Sequence, residues 1–183
     1  MRNVLIVVDM QKDFIDGSLG SSDALAIVPA VMKAAADPGY DAIYATLDTH
    51  PDNYLETFEG EHLPVVHCIR NTEGWKLWPP LAERLAERQA VLVEKPTFGS
   101  VRLAEEIAAG HPESITLCGL CTDICVASNA LLLRAYLPDT RIAVIADACA
   151  GTTPLKHKET LDVLASCQIE IAEISGGQEN EQD

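Results

Sequence analysis

Apolar residues along the chain gather into short continuous runs separated by polar and glycine-containing segments. Six of these runs read as strands: VLIVVDM (4–10), DAIYATLD (41–48), AVLVEK (90–95), SITLCGL (114–120), RIAVIADA (141–148) and IEIAEI (169–174). Between them, apolar positions recur at helical spacing over residues 22–36, 79–88, 100–109, 122–136 and 155–166. In the fourth of these helices the apolar stripe is read as Ile124, Ala127, Leu131 and Leu132. Most strand runs are continuous rather than alternating, as expected of a parallel sheet covered on both faces. Strand and helix alternate throughout without an internal repeat. The pattern therefore predicts one doubly wound, Rossmann-like α/β domain over residues 1–174, with a mostly parallel six-stranded sheet and helices on both faces.

Residues 48–76 are too long for an ordinary connection in such a fold, and long loops in compact domains are usually functional. This one contains His50, His62, His67, Trp75 and several acids; Trp75 and the nearby Trp78 read as packing anchors. The polar residues at the strand ends are more informative. Asp9 ends the first apolar run, Asp48 the second and Lys95 the third, while Cys125 follows the fourth and Asp147 the fifth. Ligands of open α/β sheets bind outside the carboxyl ends of the strands, so these groups are expected to converge. Asp9, preceded by VLIVV, is a carboxylate at the mouth of a buried strand and needs a partner; Lys95 is the candidate. Cys125 lies where a buried strand gives way to a helix. Unpaired N–H groups and the positive end of the helix dipole favour a thiolate there, so a lowered thiol pKa is expected.

Composition narrows the partners. The chain has 183 residues, enough to bury a core without covalent staples, and its six cysteines require no disulfide. The opening MRNVLIVVDMQKDF has too short an apolar run for a signal peptide, so a reducing cytoplasmic setting is expected. No apolar run approaches the roughly 18 residues needed to cross a bilayer. With 13 basic against 28 acidic residues, a formal charge of −15 disfavours nucleic acid and anionic membrane surfaces and leaves a small molecule as the expected partner. The segment SGGQENEQD (175–183) has no apolar side chain and reads as a flexible acidic tail.

Six motifs occur in an order that resembles the isochorismatase-like cysteine hydrolases, and within them the nicotinamidase branch. They are VDMQKDF (8–14), LDTHP (47–51), LPVVHC (63–68), EKPTFGS (94–100), GLCTDICV (119–126) and DACAGTTPLKH (147–157). The resemblance covers residues 3–174 and implies an Asp9, Lys95, Cys125 catalytic triad that cleaves an amide through a thioester. It implies an oxyanion hole formed by the N–H groups of Cys121 and Cys125, after a cis peptide between Leu120 and Cys121. Phe14 and Phe98 are candidate pocket walls, with Leu120 as a further substrate contact. The implied reaction is nicotinamide to nicotinate and ammonia, a step of NAD salvage, and homo-oligomers are common among relatives.

Asp48 and His50 are two residues apart, so in extended backbone their side chains share one side, and His67 offers a third ligand from the far end of the loop. Two imidazoles and a carboxylate suit zinc and also accept iron or manganese. His67 ranks above His62 because it stands in LPVVHC, while the sequence does not choose between Glu59 and Glu61 as an additional ligand. One departure concerns the pocket: several nicotinamidases carry an aromatic residue just before the second metal histidine, where this chain has Pro64, Val65 and Val66.

The alternatives within the superfamily are another small amide, a carbamoyl compound or isochorismate; the last needs no Asp48, His50, His67 cluster. From a different class, Cys118-Gly-Leu-Cys121 allows a thiol redox or structural metal protein, although no second CxxC completes a four-cysteine site. A ligand-binding pseudoenzyme is a third alternative, opposed by the presence of all three triad residue types.

Overall fold

The structure, a computed structural model, describes residues 2–174; the acidic tail lies outside the described residues. Six strands form one sheet: β1 (Asn3–Val8), β2 (Ala42–Asp48), β3 (Val91–Lys95), β4 (Ser114–Leu120), β5 (Arg141–Ala150) and β6 (Glu170–Ala172). Their order is β3-β2-β1-β4-β5-β6 and every pairing is parallel, so the mostly parallel sheet expected from sequence is wholly parallel here. Parallel crossovers are right-handed, and this order reverses direction once, between β1 and β4. The helices α3 (Val28–Ala36) and α5 (Pro79–Glu87), which link β1 to β2 and β2 to β3, therefore cover one face. The opposite face carries α6 (Val101–Ala109), α7 (Ala127–Tyr136) and α8 (Pro154–Ser166). The reversal opens a crevice at the carboxyl ends of β1 and β4, the usual ligand position of this architecture.

The core is built on β1, whose residues Val4 to Val8 are all fully buried. It runs beside β4 from Asn3↔Ser114 to Val8↔Gly119. A side chain at Gly119 would place its Cβ 2.2 Å from the Val8 carbonyl oxygen, at a φ of +114°, so only glycine allows the two strands this approach beside the crevice. At the β3 edge of the sheet, Val91 and Leu92 are exposed.

Several elements differ from the sequence reading for identifiable reasons. The helix expected over 22–36 is two helices, α2 (Ser22–Ala26) and α3, because Pro29 lacks the N–H that would continue the first into the second. The segment 48–76 contains a 3-10 turn (Tyr54–Glu56) and α4 (Phe58–His62), and the short α1 (Lys12–Ile15) follows β1. The helix expected from residue 122 begins with a π turn, Thr122–Val126, before α7. Its inner face carries Val126, Asn129, Ala130 and Leu133, whereas Leu131, placed inward by the spacing argument, is 40% exposed. The strand β5 continues past Asp147, whose side chain is exposed and accepts from the Ile174 N–H; this carboxylate does not join the other strand-end groups.

Candidate active site

Asp48 and Lys95 are the last residues of β2 and β3 and are direct partners in the sheet register. Because β2 lies between β3 and β1, Lys95 must reach across one strand, about 9–10 Å of sheet, to meet Asp9 at the end of β1. Its Nζ lies 2.7 Å from Asp9 Oδ2 and 3.3 Å from Asp48 Oδ1. It also donates to the Thr97 carbonyl at 3.0 Å and to Cys125 Sγ at 3.5 Å. Asp9, Lys95 and Cys125 thus converge as the strand ends foretold, and all are buried. Asp9 adopts a left-handed φ of 48°, tolerated by Asp better than by most residues, which turns its carboxylate back over the sheet.

Thr46, which the sequence reading passed over, holds that carboxylate. Its hydroxyl donates to Asp9 Oδ1 at 2.6 Å and accepts from the Asp9 N–H at 3.1 Å, entirely out of solvent. Oδ2 accepts no aligned hydrogen bond among the described residues; the ammonium faces it as an ion-pair partner only. Thr46 thus holds the carboxylate through Oδ1, while Oδ2 faces the Lys95 ammonium.

Burial raises the Asp9 carboxyl above its ordinary pKa, with Lys95 opposing but not cancelling the effect. Burial alone would lower the Lys95 ammonium, but Asp9, Cys125 and Asp48 hold it well above its usual value, so it stays charged. For Cys125 the sequence expectation is reversed. Burial pushes the thiol well above its usual range and the Asp9 charge adds to the rise, while Lys95 opposes it. The helix opening supplies N–H groups, yet the loss of solvent around a 6% exposed side chain outweighs them. Cys125 is thus held as a thiol. Cys121, pushed up to about 12 by burial, has no carboxylate within hydrogen-bonding reach to serve it among the described residues.

The peptide between Leu120 and Cys121 is cis, as the motif implied. The Cys121 carbonyl accepts from the N–H groups of Ile124 and Val126, closing the π turn on which Cys125 sits. This turn is fastened at two points, one in the β5–α8 connection and one on α8 itself. Asp123 accepts from the Thr152 N–H and hydroxyl at 2.7 and 2.6 Å, and Thr122 Oγ1 meets His157 Nδ1 at 2.8 Å.

Beside the triad, Asp48, His50, Glu59 and His67 each bring one ligand atom to within 4.8 Å of the others. Ligands about 2.0–2.2 Å from a zinc ion lie at most roughly 4.4 Å apart, so a small closure completes the set. The donor chemistry fits a divalent cation. His67 Nδ1 is engaged at 2.8 Å with the Val65 carbonyl, which fixes the ring and turns Nε2 inward, as metal-binding histidines hold their other ring nitrogen. Asp48 Oδ2 lies 2.9 Å from His50 Nε2 and 3.6 Å from His67 Nε2. Burial would raise the Asp48 carboxyl, but His50, His67 and Lys95 together bring it well below the usual range. Of the two glutamates left open by sequence, Glu59 on α4 brings Oε1 to 3.6 and 3.8 Å from His50 and His67, whereas Glu61 is exposed. His62 is also exposed, with Nδ1 against its own helix at the Phe58 carbonyl.

Two supports of this cluster escaped the sequence reading. Tyr54, fully buried, packs at 4.7 Å from His50 and 5.0 Å from His67, and donates its hydroxyl to the Leu63 carbonyl. Gln11 donates to the carbonyls of Asp48 and Trp75 and accepts from the Asp48 N–H, joining β2 to the loop. Trp75 is a packing anchor as expected, its indole donating to Thr49.

A cavity of about 320 Å³, within the range of small-molecule sites, is lined by Cys125 together with Asp48, Glu59 and His67. Phe14, Phe98 and Leu120 all line it, together with Leu63, Ile124 and Gly151. A larger depression of about 510 Å³ lies near the amino ends of β4, β5 and β6 and holds no group of the triad or metal cluster. All six cysteines are free, and Cys118 is fully buried in β4 with its thiol pushed well up, which argues against a redox pair with Cys121.

The isochorismatase domain model matches residues 3–175. No curated protein matches the chain by sequence. Among solved structures, the pyrazinamidase of Pyrococcus horikoshii in complex with zinc is similar at 27% identity and a TM-score of 0.77, over 94% of this chain and 99% of that one. A nicotinamidase from Bacillus subtilis is similar at 26% identity and a TM-score of 0.78, over 94% and 100%. A protein of L. infantum in complex with nicotinate, 21% identical over 94% and 92% with a TM-score of 0.82, shares the fold.

Proposed function

We propose that this chain, which belongs to the isochorismatase family, hydrolyses nicotinamide to nicotinate and ammonia, with Asp9, Lys95 and Cys125 as its catalytic residues. The observation that carries the reading is the buried Lys95 ammonium lying within 3.5 Å of Asp9, Asp48 and Cys125 at once, so that it joins a thiol to a metal-type cluster. The ring amide itself is suggested by the nicotinamidase and pyrazinamidase activities of similar proteins.

Asp9 Oδ2 takes the Cys125 proton as sulfur adds to the amide carbonyl carbon. The sulfur charge forms beside Lys95 and passes to the carbonyl oxygen, which the N–H groups of Cys121 and Cys125 receive. Asp9 then returns the proton to the departing nitrogen, so the C–N bond breaks and ammonia leaves a thioester. A water next gives its proton to Asp9 and adds to the thioester carbon. The C–S bond breaks, the acid is released, and Asp9 reprotonates the sulfur. Asp48, His50, Glu59 and His67 would hold one divalent metal, zinc by donor type, with iron or manganese as alternatives. Such a metal would supply Lewis acidity toward a pyridine nitrogen and so would help to orient the ring.

The test is ammonia release from nicotinamide by metal-replete protein. Wild type is expected to turn over and to show an acyl adduct on Cys125 by mass spectrometry of quenched reactions, and Cys125→Ala to do neither. Hydrolysis of other amides without any of nicotinamide would remove the substrate, and an adduct on Cys121 would remove the nucleophile.

A further inference from the structure

Asn129 occupies the third position of α7, on the inner face, where it is 1% exposed. It is not a cap, and Asn is a poor residue for a helix interior. Its side-chain amide explains its presence. Nδ2 donates to the Cys125 carbonyl at 2.7 Å and to the Phe98 carbonyl at 3.2 Å, and Oδ1 accepts from the Ser100 N–H at 3.0 Å. Both donor hydrogens and the acceptor are used. The reversed amide would set an oxygen against two carbonyl oxygens, so the partners fix its orientation.

One buried side chain thereby joins the turn that carries the nucleophile to the loop that carries an aromatic wall of the cavity. Phe98 needs such support, because its side chain is 42% exposed and is not locked by packing. The loop lies close on α7: a Cβ at Gly99 would meet Leu132 Cδ1 at 2.7 Å. At its other end the loop is held by Lys95 through the Thr97 carbonyl. Beyond Phe98, Ser100 caps α6 by accepting from the Leu103 N–H. Residues 97–100 are thus fixed relative to Lys95 on one side and to Cys125 on the other, and Asn129 makes the second connection.

We infer that Asn129 is a positioning residue that sets the Phe98 wall in register with the Cys125 sulfur, so that cyclic aromatic amides depend on it more than open-chain amides do. The inference rests on the ring-amide hydrolysis proposed above. An open-chain amide such as propionamide needs the sulfur, base and oxyanion donors but has no ring to lean on Phe98. Nicotinamide needs both halves aligned, and displacements of an ångström or so in a reacting pair cost up to about a hundredfold.

The experiment compares kcat/KM for nicotinamide and propionamide in wild type, Asn129→Leu and Asn129→Ser, alone and with Phe98→Ala. Leu removes all three bonds at similar volume; Ser, smaller and safer for folding, restores a donor only to the carbonyl one helical turn back. Both variants are expected to reduce the nicotinamide-to-propionamide ratio by about tenfold or more, chiefly through kcat. In the Phe98→Ala background neither is expected to change the ratio further. Equal losses on the two substrates, or an undiminished ratio in Asn129→Ser, would overturn the assignment and leave the function intact. A wild type showing no preference for nicotinamide would instead overturn the ring-amide reading, and this inference with it.

Discussion

Replacing Lys95 by Met removes a buried ammonium that faces two carboxylates. Asp9 Oδ2 and Asp48 Oδ1 stand 2.7 and 3.3 Å from its Nζ, and all three side chains are almost completely out of solvent. Removing one partner of a buried ion pair typically costs about 3–5 kcal/mol, because the other charge remains. Here the loss has a ceiling, since Asp9 can take up a proton instead. Holding neutral a carboxyl that would ionise near pH 3.9 in the unfolded chain costs about 1.4 kcal/mol per pH unit, or about 4 kcal/mol at pH 7 and about 1.5 at pH 5. The folded-state pKa of Asp9 is already raised in wild type, and loss of Lys95 raises it further. The folded variant therefore binds more protons than the unfolded chain, and its stability falls as pH rises from about 4 through the raised pKa. Urea unfolding of metal-free protein is expected to show a deficit at pH 7 of at most about 4 kcal/mol, less whatever wild type already bears through its own raised Asp9 pKa, and a smaller deficit at pH 5. Adding Asp9→Asn should recover most of the pH 7 loss. A deficit that is independent of pH, or a double variant less stable than Lys95→Met, would refute the charge argument.

Three further outcomes follow from the same geometry. The acid limb of kcat/KM should lie above the ordinary carboxyl range, because Asp9 must be ionised to accept the thiol proton and its pKa is raised, with activity lost as pH falls through that value; Asp9→Asn should cost roughly a hundredfold or more and abolish the limb. Glu59→Gln should lower zinc affinity in competition with a chelator while Glu61→Gln leaves it unchanged, since only Glu59 reaches the histidines; equal effects would exclude Glu59 as a ligand. His50→Ala should impair nicotinamide hydrolysis more than that of benzamide, which lacks the ring nitrogen, and equal impairment would remove the orienting role of the metal.

The sheet and its polar strand ends were legible because parallel strands bury both faces, leaving a charged residue at the end of an apolar run nowhere to lie except the crevice. Asp9, Asp48 and Lys95 obey this rule. Asp147 broke it because β5 runs three residues further and presents the carboxylate outward, an edge that no apolar count reveals. Thr46 and Asn129 were illegible for a different reason. Each looks like a neutral strand or helix residue, and its value lies in partners 37 and 29–31 positions away. The thiol pKa was misjudged because a local argument from the helix dipole ignores how much solvent the completed fold removes.

That reversal changes the logic of the site. A thiolate at rest beside Lys95 would compete with Asp9 for the same ammonium and leave three negative groups around one positive group, with Asp48 the third. Storing the sulfur as a thiol avoids this, and keeps a buried nucleophile in its less oxidisable form. Proton transfer to Asp9 during attack does not change the number of negative charges near Lys95. It moves one from carboxylate to sulfur, and then onward to the carbonyl oxygen. The raised carboxyl pKa makes Asp9 the better base, and the raised thiol pKa makes sulfur the stronger nucleophile once deprotonated. Burial therefore strengthens the base while holding the sulfur protonated, so the proposed attack needs the proton to pass to Asp9 as sulfur adds, with Thr46 on one carboxylate oxygen and Lys95 facing the other.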